Sequence, residues 1–371
     1  MLKKISFFLL VILCINFISP CYAITIDIYN DGKSNIVMDV KTGRILYEKN
    51  IYEKLPMAST TKIMTALLAI ENIPMNKRVK VNPKAEGIEG SSIYLKANEE
   101  IKMVDLVYGL MLRSGNDAAE AIAYEISGSI EDFVKLMNMR AKQIGVQNTL
   151  FQNPHGLHND NHYTTAYDLA LITRAALKNE IFREVVKTKF WLADREGYKH
   201  FANKNKTLDM CEGGDGVKIG YTKKAGRCLV SSATRNNMQL IAVTLKDGDY
   251  FNTTKTLLDY SFEKYKPYVV FEEGDMVKNI MISGGTKDTV DIRAPRKLII
   301  PVEDGESEKV ISIIQLPEVI NAPILKGEKI GNISTYLNGK LINITELSID
   351  EDINKLTVKE KILKFFKQSK F

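Results

Sequence analysis

Ser59-Thr60-Thr61-Lys62 sets a hydroxyl and an amine three residues apart, and on the first turn of a helix positions i and i+3 share a face. A serine hydroxyl is a weak nucleophile until a neighbouring base takes its proton. Lysine can be that base only as the neutral amine, a form that burial and nearby cations favour. A second Ser-x-x-Lys, Ser261-Phe262-Glu263-Lys264, falls late in a helical stretch beyond the other candidate pieces and reads as surface. Ser59 has company instead. Ser114-Gly115-Asn116 lies between the helical runs MVDLVYGLMLR and DAAEAIAYEI, where a turn can project a hydroxyl and a carboxamide into a cleft. The third piece is DGVKIGYTKKAG, in which an extended Lys218 would supply a cation and an edge of backbone N–H and C=O groups. A literal Lys41-Thr42-Gly43 also occurs, inside IVMDVKTGRILYEK. There Gly43 offers the positive φ of a hairpin turn, so these three residues read as a turn between strands.

The elements that must carry these residues follow from periodicity. Residues 36–49 form two extended runs, and 60–70 has apolar positions at helical spacing. Helical patterns recur over 103–126, 130–144 and 167–177, with Gly128 and Gly145 as stops. Strand character returns at 217–221, 227–233 and 240–246, and a helix over 253–264 follows. A strand pair, then helices, then strands, then a helix predicts an α/β sandwich with a helical insertion. From 267 to 349 the texture changes to short alternating runs split by Gly, Pro and Asp, which predicts a small β-domain.

The two ends differ from the middle. Lys3 and Lys4, the apolar run Ile5 to Ile18 and the small-residue site at Cys21-Tyr22-Ala23 read as a signal peptide over 1–23. The run is too short for a bilayer span, and Pro20 argues against lipid attachment at Cys21. Export follows, with about 350 residues left for one large and one smaller domain. Losing Lys3 and Lys4 takes the formal charge from +6 to +4, a mild and mixed excess that does not point to nucleic acid. Cys211 and Cys228 remain and read as two unpaired thiols, since one is expected in a loop and the other mid-strand. His155, His158 and His162 in HGLHNDNH sit in an Asn-, Asp- and Gly-rich stretch that reads as a solvated loop beside the cleft, not a metal site. Trp191, with Phe190 and Tyr198, reads as packing or strand-lining. In KLTVKEKILKFFKQSKF, Thr357 and Glu360 have capping-box spacing. Val358, Ile362, Leu363, Phe365 and Phe366 then gather on one side of a lysine-rich helix suited to a membrane interface of anionic lipid.

Taken in order, the three chemical pieces resemble the serine penicillin-recognising acyltransferases. LPMASTTKIMTAL, GSSIYLKANEEIKMVDLVYGLMLRSGNDAAEAIA, FQNPHGLH and DGVKIGYTKKAGRCLVSSATRNNMQLIAV together look like a low-molecular-weight penicillin-binding protein, an exported D-alanyl-D-alanine carboxypeptidase. The likeness runs from about Ile36 to Ile349, and ILKGEKIGNISTYLNGKLI resembles that family's β-rich C-terminal domain. The resemblance implies a transpeptidase/β-lactamase-like α/β (α+β) domain over 24–265, with an antiparallel sheet flanked by helices and a helical subdomain. A small all-β domain over 266–350 and an amphipathic membrane-associating tail over 351–371 would complete it.

It further implies Ser59 as nucleophile, Lys62 as its base, Ser114 as a proton shuttle held electrostatically by Lys218, and Asn116 as a ligand of a substrate amide. The backbone N–H groups of Ser59 and Tyr221 would form the oxyanion hole, with Ile219, Gly220 and Thr222 completing the substrate-binding strand. The implied substrate is a peptidoglycan stem peptide ending in D-Ala-D-Ala, β-lactams would acylate Ser59, and no cofactor or metal is implied. The sequence departs from the family at Ile219, where a hydroxyl residue would donate to the substrate carboxylate. Thr222, Arg227 and Arg235 are the sequence's alternatives for that contact, and a weakened or retuned enzyme is the expectation. Two other readings stand beside it. A catalytically silent wall-binding homologue would explain Ile219. A β-lactamase is opposed by the lack of a Glu-x-x-Leu-Asn stretch between the Ser114 and Lys218 boxes.

Overall fold

A computed structural model of the chain describes residues 30–360 and 362. The expected signal peptide, and the tail at 361 and 363–371, lie outside the described residues. Strands β1 (Ser34–Asp39) and β2 (Ile45–Lys49) open the fold, joined by the Lys41-Thr42-Gly43 turn. In that turn Gly43 has φ +76° and Thr42 N–H donates to Asp39 Oδ1 at 2.7 Å. A single 3-10 turn, Ala58–Thr61, runs into α1 (Lys62–Asn72), and the short pair β3 (Arg78–Lys80) and β4 (Glu100–Lys102) follows.

The helical run expected over 103–126 is broken in the middle. It comprises α2 (Met103–Tyr108), one π turn over Gly109–Arg113, and α3 (Asn116–Ser127). Next come α4 (Ile130–Ile144), with its expected bounds, α5 (Ala166–Leu177) and α6 (Glu180–Lys187), then the pair β5 (Phe190–Leu192) and β6 (His200–Ala202). A short helix α7 (Thr207–Met210) leads to β7 (Gly214–Thr222), β8 (Gly226–Arg235) and β9 (Met238–Leu245), and α8 (Tyr250–Lys264) follows.

The first and last strands of this body share one antiparallel sheet of order β2-β1-β9-β8-β7. That order leaves β7 at an edge, so one row of its N–H and C=O groups is unpaired within the sheet. One buried apolar cluster runs from the sheet (Ile36, Val230, Ile241) through α1 (Ile63, Leu67) to the helical insertion (Leu106, Ile122, Phe133). The remaining strands, β10 (Lys266–Phe271), β11 (Met276–Ser283), β12 (Thr289–Arg293), β13 (Leu298–Val302), β14 (Val310–Gln315), β15 (Val319–Asn321), β16 (Lys329–Leu337) and β17 (Lys340–Ser348), form small sheets of two or three strands. Their alternating burial, as in β12, packs Ile280, Ile292, Ile333 and Leu347 into a separate core. This is the α/β body and small β-domain expected from the sequence.

Cys211 and Cys228 are both free and buried, and burial pushes the Cys228 thiol up to about 11. Thr357 N–H donates to Glu360 Oε2 at 2.8 Å while Glu360 N–H donates to Thr357 Oγ1 at 3.3 Å, the reciprocal cap expected at the tail. Among the described residues no helix is long and apolar enough to cross a membrane.

Candidate active site

Ser59 stands in the middle of the 3-10 turn, and Lys62 begins the helix that the turn feeds. The turn starts at Ala58, whose φ of +49° lies in the left-handed region that a side chain disfavours. Strain of this kind persists only where the surroundings over-determine it. Here Thr60 Oγ1 donates to Met57 O at 2.6 Å and Thr61 Oγ1 to Ala58 O at 2.8 Å. Thr61 is held in turn by His162. Gln152 N–H donates to His162 Nδ1 at 2.9 Å, so the ring proton sits on Nε2 and donates to Thr61 Oγ1 at 2.8 Å. Desolvation lowers His162 to about 3, which keeps the ring neutral in this role.

Three oxygens surround Lys62 Nζ: Ser59 Oγ at 3.1 Å, Asn116 Oδ1 at 2.7 Å and the His155 carbonyl at 2.6 Å. The amine is 0 % exposed. Burial first, and then the charge of Lys218, hold it well below the ordinary lysine range, while Asp117 pulls the other way. Lys218, 1 % exposed, is itself lowered to about 7 by burial and by the charge of Lys204.

Ser114 ends the π turn in the left-handed conformation (φ +65°), its N–H donating back to Gly109 O. π turns inside helices and left-handed non-glycine residues both concentrate at functional sites. The next helix opens with Asn116, whose Nδ2 donates to Glu89 O at 2.5 Å while Oδ1 receives Lys62. Asp117, buried behind it, accepts from Ser92 Oγ at 2.6 Å, Ile93 N at 3.1 Å and Leu95 N at 3.0 Å, tying residues 92–95 to the base of α3.

Strand β7 packs against the Ser59 turn. A Cβ on Gly220 would come within 2.9 Å of Ser59 N and 3.2 Å of Ala58 Cβ, so this close approach needs glycine. Side chains alternate along a strand, which puts Lys218 on the same face as Gly220 and Ile219 on the other, half-buried across from Leu229. Tyr221 is exposed, and Thr222 Oγ1 accepts from Ala225 N–H at 3.0 Å within the β7–β8 turn.

Ser59, Lys62, Asn116, Lys218 and Gly220 therefore meet, with Ser114 on the π turn beside them. The literal Lys41-Thr42-Gly43 is elsewhere, at the opposite side of the sheet.

Two expectations need correction. Ser261 is not a surface residue: it is fully buried, and its hydroxyl donates to Leu257 O at 2.7 Å where α8 lies on the sheet. Nor is HGLHNDNH simply a solvated loop. His155 and His162 are buried, while His158, paired with Asp160 at 3.2 Å, and residues 159–161 form its open side. Gly156 explains the tight seating: at φ +90°, a Cβ would fall 1.9 Å from Ala58 O. Three participants were not legible as such: the His155 carbonyl, His162 and Lys204. Trp191 packs as expected, stacked 3.7 Å from Tyr108 with its Nε1–H on Asp105 at 2.7 Å.

The family described as D-alanyl-D-alanine carboxypeptidase matches residues 26–249, and the one described as penicillin-binding protein 5, C-terminal domain, matches 262–355. The chain is 34% identical over 353 residues to D-alanyl-D-alanine carboxypeptidase DacF of Bacillus subtilis (strain 168), covering 89% of this chain and 88% of the relative. It is 32% identical over 343 residues to DacC of Escherichia coli (strain K12), covering 88% and 85%. Penicillin binding protein 5 from Haemophilus influenzae superposes with a TM-score of 0.70 at 29% identity, over 88% of this chain and 98% of that one. Similarity of this extent, carried through both parts of the chain, means that it belongs to the D-alanyl-D-alanine carboxypeptidase family and is a serine carboxypeptidase.

Proposed function

We propose that the protein removes the terminal D-alanine from peptidoglycan stem pentapeptides through an acyl-enzyme on Ser59. The observation that carries this reading is the arrangement around Lys62 Nζ. A neutral amine has two N–H donors and one lone pair. The Asn116 Oδ1 and His155 O contacts, at 2.7 and 2.6 Å, consume the two donors. The lone pair is then left for Ser59 Oγ–H at 3.1 Å. In this state Lys62 accepts the hydroxyl proton as Oγ attacks the carbonyl of the penultimate D-alanine.

The oxygen that gains charge is stabilised by the N–H groups of Ser59 and Tyr221, and Ser114 relays the proton to the amine of the departing D-alanine. Lys218, charged, holds that hydroxyl and the field around it. Water then attacks the Ser59 ester, giving its proton back along the same route and freeing the serine. A penicillin forms the same ester with Ser59 and leaves slowly. The unpaired edge of β7 gives the substrate backbone a strand to pair with.

The substrate carboxylate lacks a hydroxyl partner at Ile219. Thr222 is committed to its own turn. Arg227 donates to Gly248 O at 2.9 Å and lies over Tyr250, and Arg235 is paired with Asp259 at 2.6 Å near the far end of β8. Lys204, whose charge reaches both Lys62 and Lys218, is the cation left to attract it. The enzyme works with a weakened carboxylate contact.

We place it outside the bacterial cytoplasmic membrane, held at the outer face by its tail. Support comes from the capped start of that helix, where Val358 is 76 % and Ile362 53 % exposed. No nucleic acid is a partner.

The test uses the mature protein, a fluorescent penicillin, intact-mass measurement and D-alanine release from a pentapeptide. A covalent adduct and D-alanine release, both abolished in Ser59→Ala, are expected. Folded wild type that neither labels nor releases D-alanine would leave a silent wall-binding homologue, and labelling that persists in Ser59→Ala would move the nucleophile elsewhere.

A further inference from the structure

We propose that a basic cavity remote from Ser59 binds a chain of phosphate groups, a polyol or sugar phosphodiester. The cavity, about 800 Å³, lies where the α5–α6 corner faces β17 and the β1–β2 turn. Lys41, Arg174, Lys178, Arg183 and Arg296 line it, and no Asp or Glu does. None of Ser59, Lys62, Ser114 or Lys218 takes part, so the cavity is separate from the catalytic cleft. The literal Lys41-Thr42-Gly43, which the catalytic site leaves unused, finds its place here: its turn presents Lys41 to the cavity.

The cations divide into held and uncommitted groups. Arg174 donates from Nε to Val40 O at 2.6 Å and from Nη2 to Lys41 O at 2.8 Å, which fixes its guanidinium plane. Its Nη1 has no partner among the described residues, so it keeps donors for a ligand. Arg183 is spent on the Leu177 and Lys178 carbonyls and on Glu180, and Lys41 donates to the Lys297 carbonyl. The side chains of Lys178 and Arg296 have no hydrogen bond or ion pair among the described residues. The nearest carboxylate acting on Arg174 and Lys41 is Asp39, buried and taken up by Thr42.

Gathering like charges with no acid on the wall is unfavourable for the folded chain unless an anion joins them. Burial and the neighbouring cations lower both Lys178 and Lys41, in keeping with that crowding. Phosphate fits better than a lone carboxylate. Guanidinium forks and lysine points match its several oxygens, and the volume admits more than one such group. Leu177, Leu341 and Ile344 share the wall with the charges and suit the carbon links between phosphates.

A glycerol phosphate oligomer carrying a fluorophore is the first probe, with phosphatidylglycerol vesicles as the second, both at low salt. The full mature protein is compared with Lys178→Glu/Arg296→Glu, two surface changes outside the catalytic machinery. The wild type is expected to bind, less tightly as salt rises. The double variant should bind about a hundredfold more weakly, about tenfold per cation. D-alanine release from a soluble peptide and the thermal midpoint should be unchanged. A loss seen with the oligomer supports the phosphodiester chain, and a loss seen with vesicles alone overturns the chain in favour of a single lipid headgroup phosphate. Equal binding by both proteins on both probes, or no binding of either probe by wild type, overturns the proposal.

Discussion

Ile219→Thr isolates the departure that the third of the three sequence pieces carries. The change keeps a β-branched residue at a half-buried position on β7, so strand preference and the ladder with Leu229 survive. Lys218 and Gly220, on the opposite face, are untouched. What the variant adds is one hydroxyl donor to the substrate carboxylate, and a hydrogen bond to a charged group contributes about 1.5–3 kcal/mol. At about 1.4 kcal/mol per factor of ten, kcat/KM for a peptide ending in D-Ala-D-Ala should rise about 10- to 100-fold. The assay is D-alanine release at several substrate concentrations. A parallel series uses the same peptide with its terminal carboxylate converted to an amide. The gain must belong to the carboxylate: expected is a large rise with the acid and little change with the amide. An equal rise on both substrates would mean that threonine acts by reshaping the strand. No rise on either would mean that Lys204 and Lys218 already saturate the carboxylate site and that Ile219 costs the enzyme nothing there.

The pH dependence of kcat/KM tests the division of labour between the lysines. In the proposed mechanism Lys62 works neutral and Lys218 charged; with Lys218 lowered to about 7 by burial and Lys204, efficiency should fall about tenfold per unit above that pH. Lys218→Arg, permanently charged, should carry the falling limb beyond pH 9; an unchanged limb would remove Lys218 as its source. His162 is the acid weakness of the site. Its pKa drops from 6.5 to about 3 on folding, so the unfolded chain binds the proton first as pH falls. The stability present above pH 6.5 is then lost progressively down to about pH 3, up to about 5 kcal/mol. Urea midpoints measured from pH 7 to 4 should show that slope in the wild type and a much shallower one in His162→Gln. Parallel curves would refute the assignment.

Local signals carried far in this sequence. The 3.6-residue pattern and the glycine stop gave α4 its observed ends, because Ser129 caps it and Gly145 leaves it at φ +94°. Ser59 and Lys62 were readable because their proximity is set by three residues of chain. The π turn at 109–113 was not. Its apolar residues continue the helical pattern, so nothing in the sequence marks the extra residue per turn that ends in the left-handed Ser114.

The histidine loop failed for a related reason. Asn, Asp and Gly mark irregular backbone correctly, yet irregular backbone has carbonyls to spare, and a buried amine needs acceptors that backbone paired inside a helix or sheet does not leave free. The His155 carbonyl serves Lys62 for that reason, across 93 residues of chain. Lys204 was invisible on the same grounds, since its charge matters through space to residues on other elements. Composition at a single segment reports how the backbone runs, and what that backbone is needed for is decided by the group brought against it. In this fold that group is the Lys62 amine, fully buried and held well below the ordinary lysine range, so a loop that reads as polar and unstructured supplies one of the three oxygens around it.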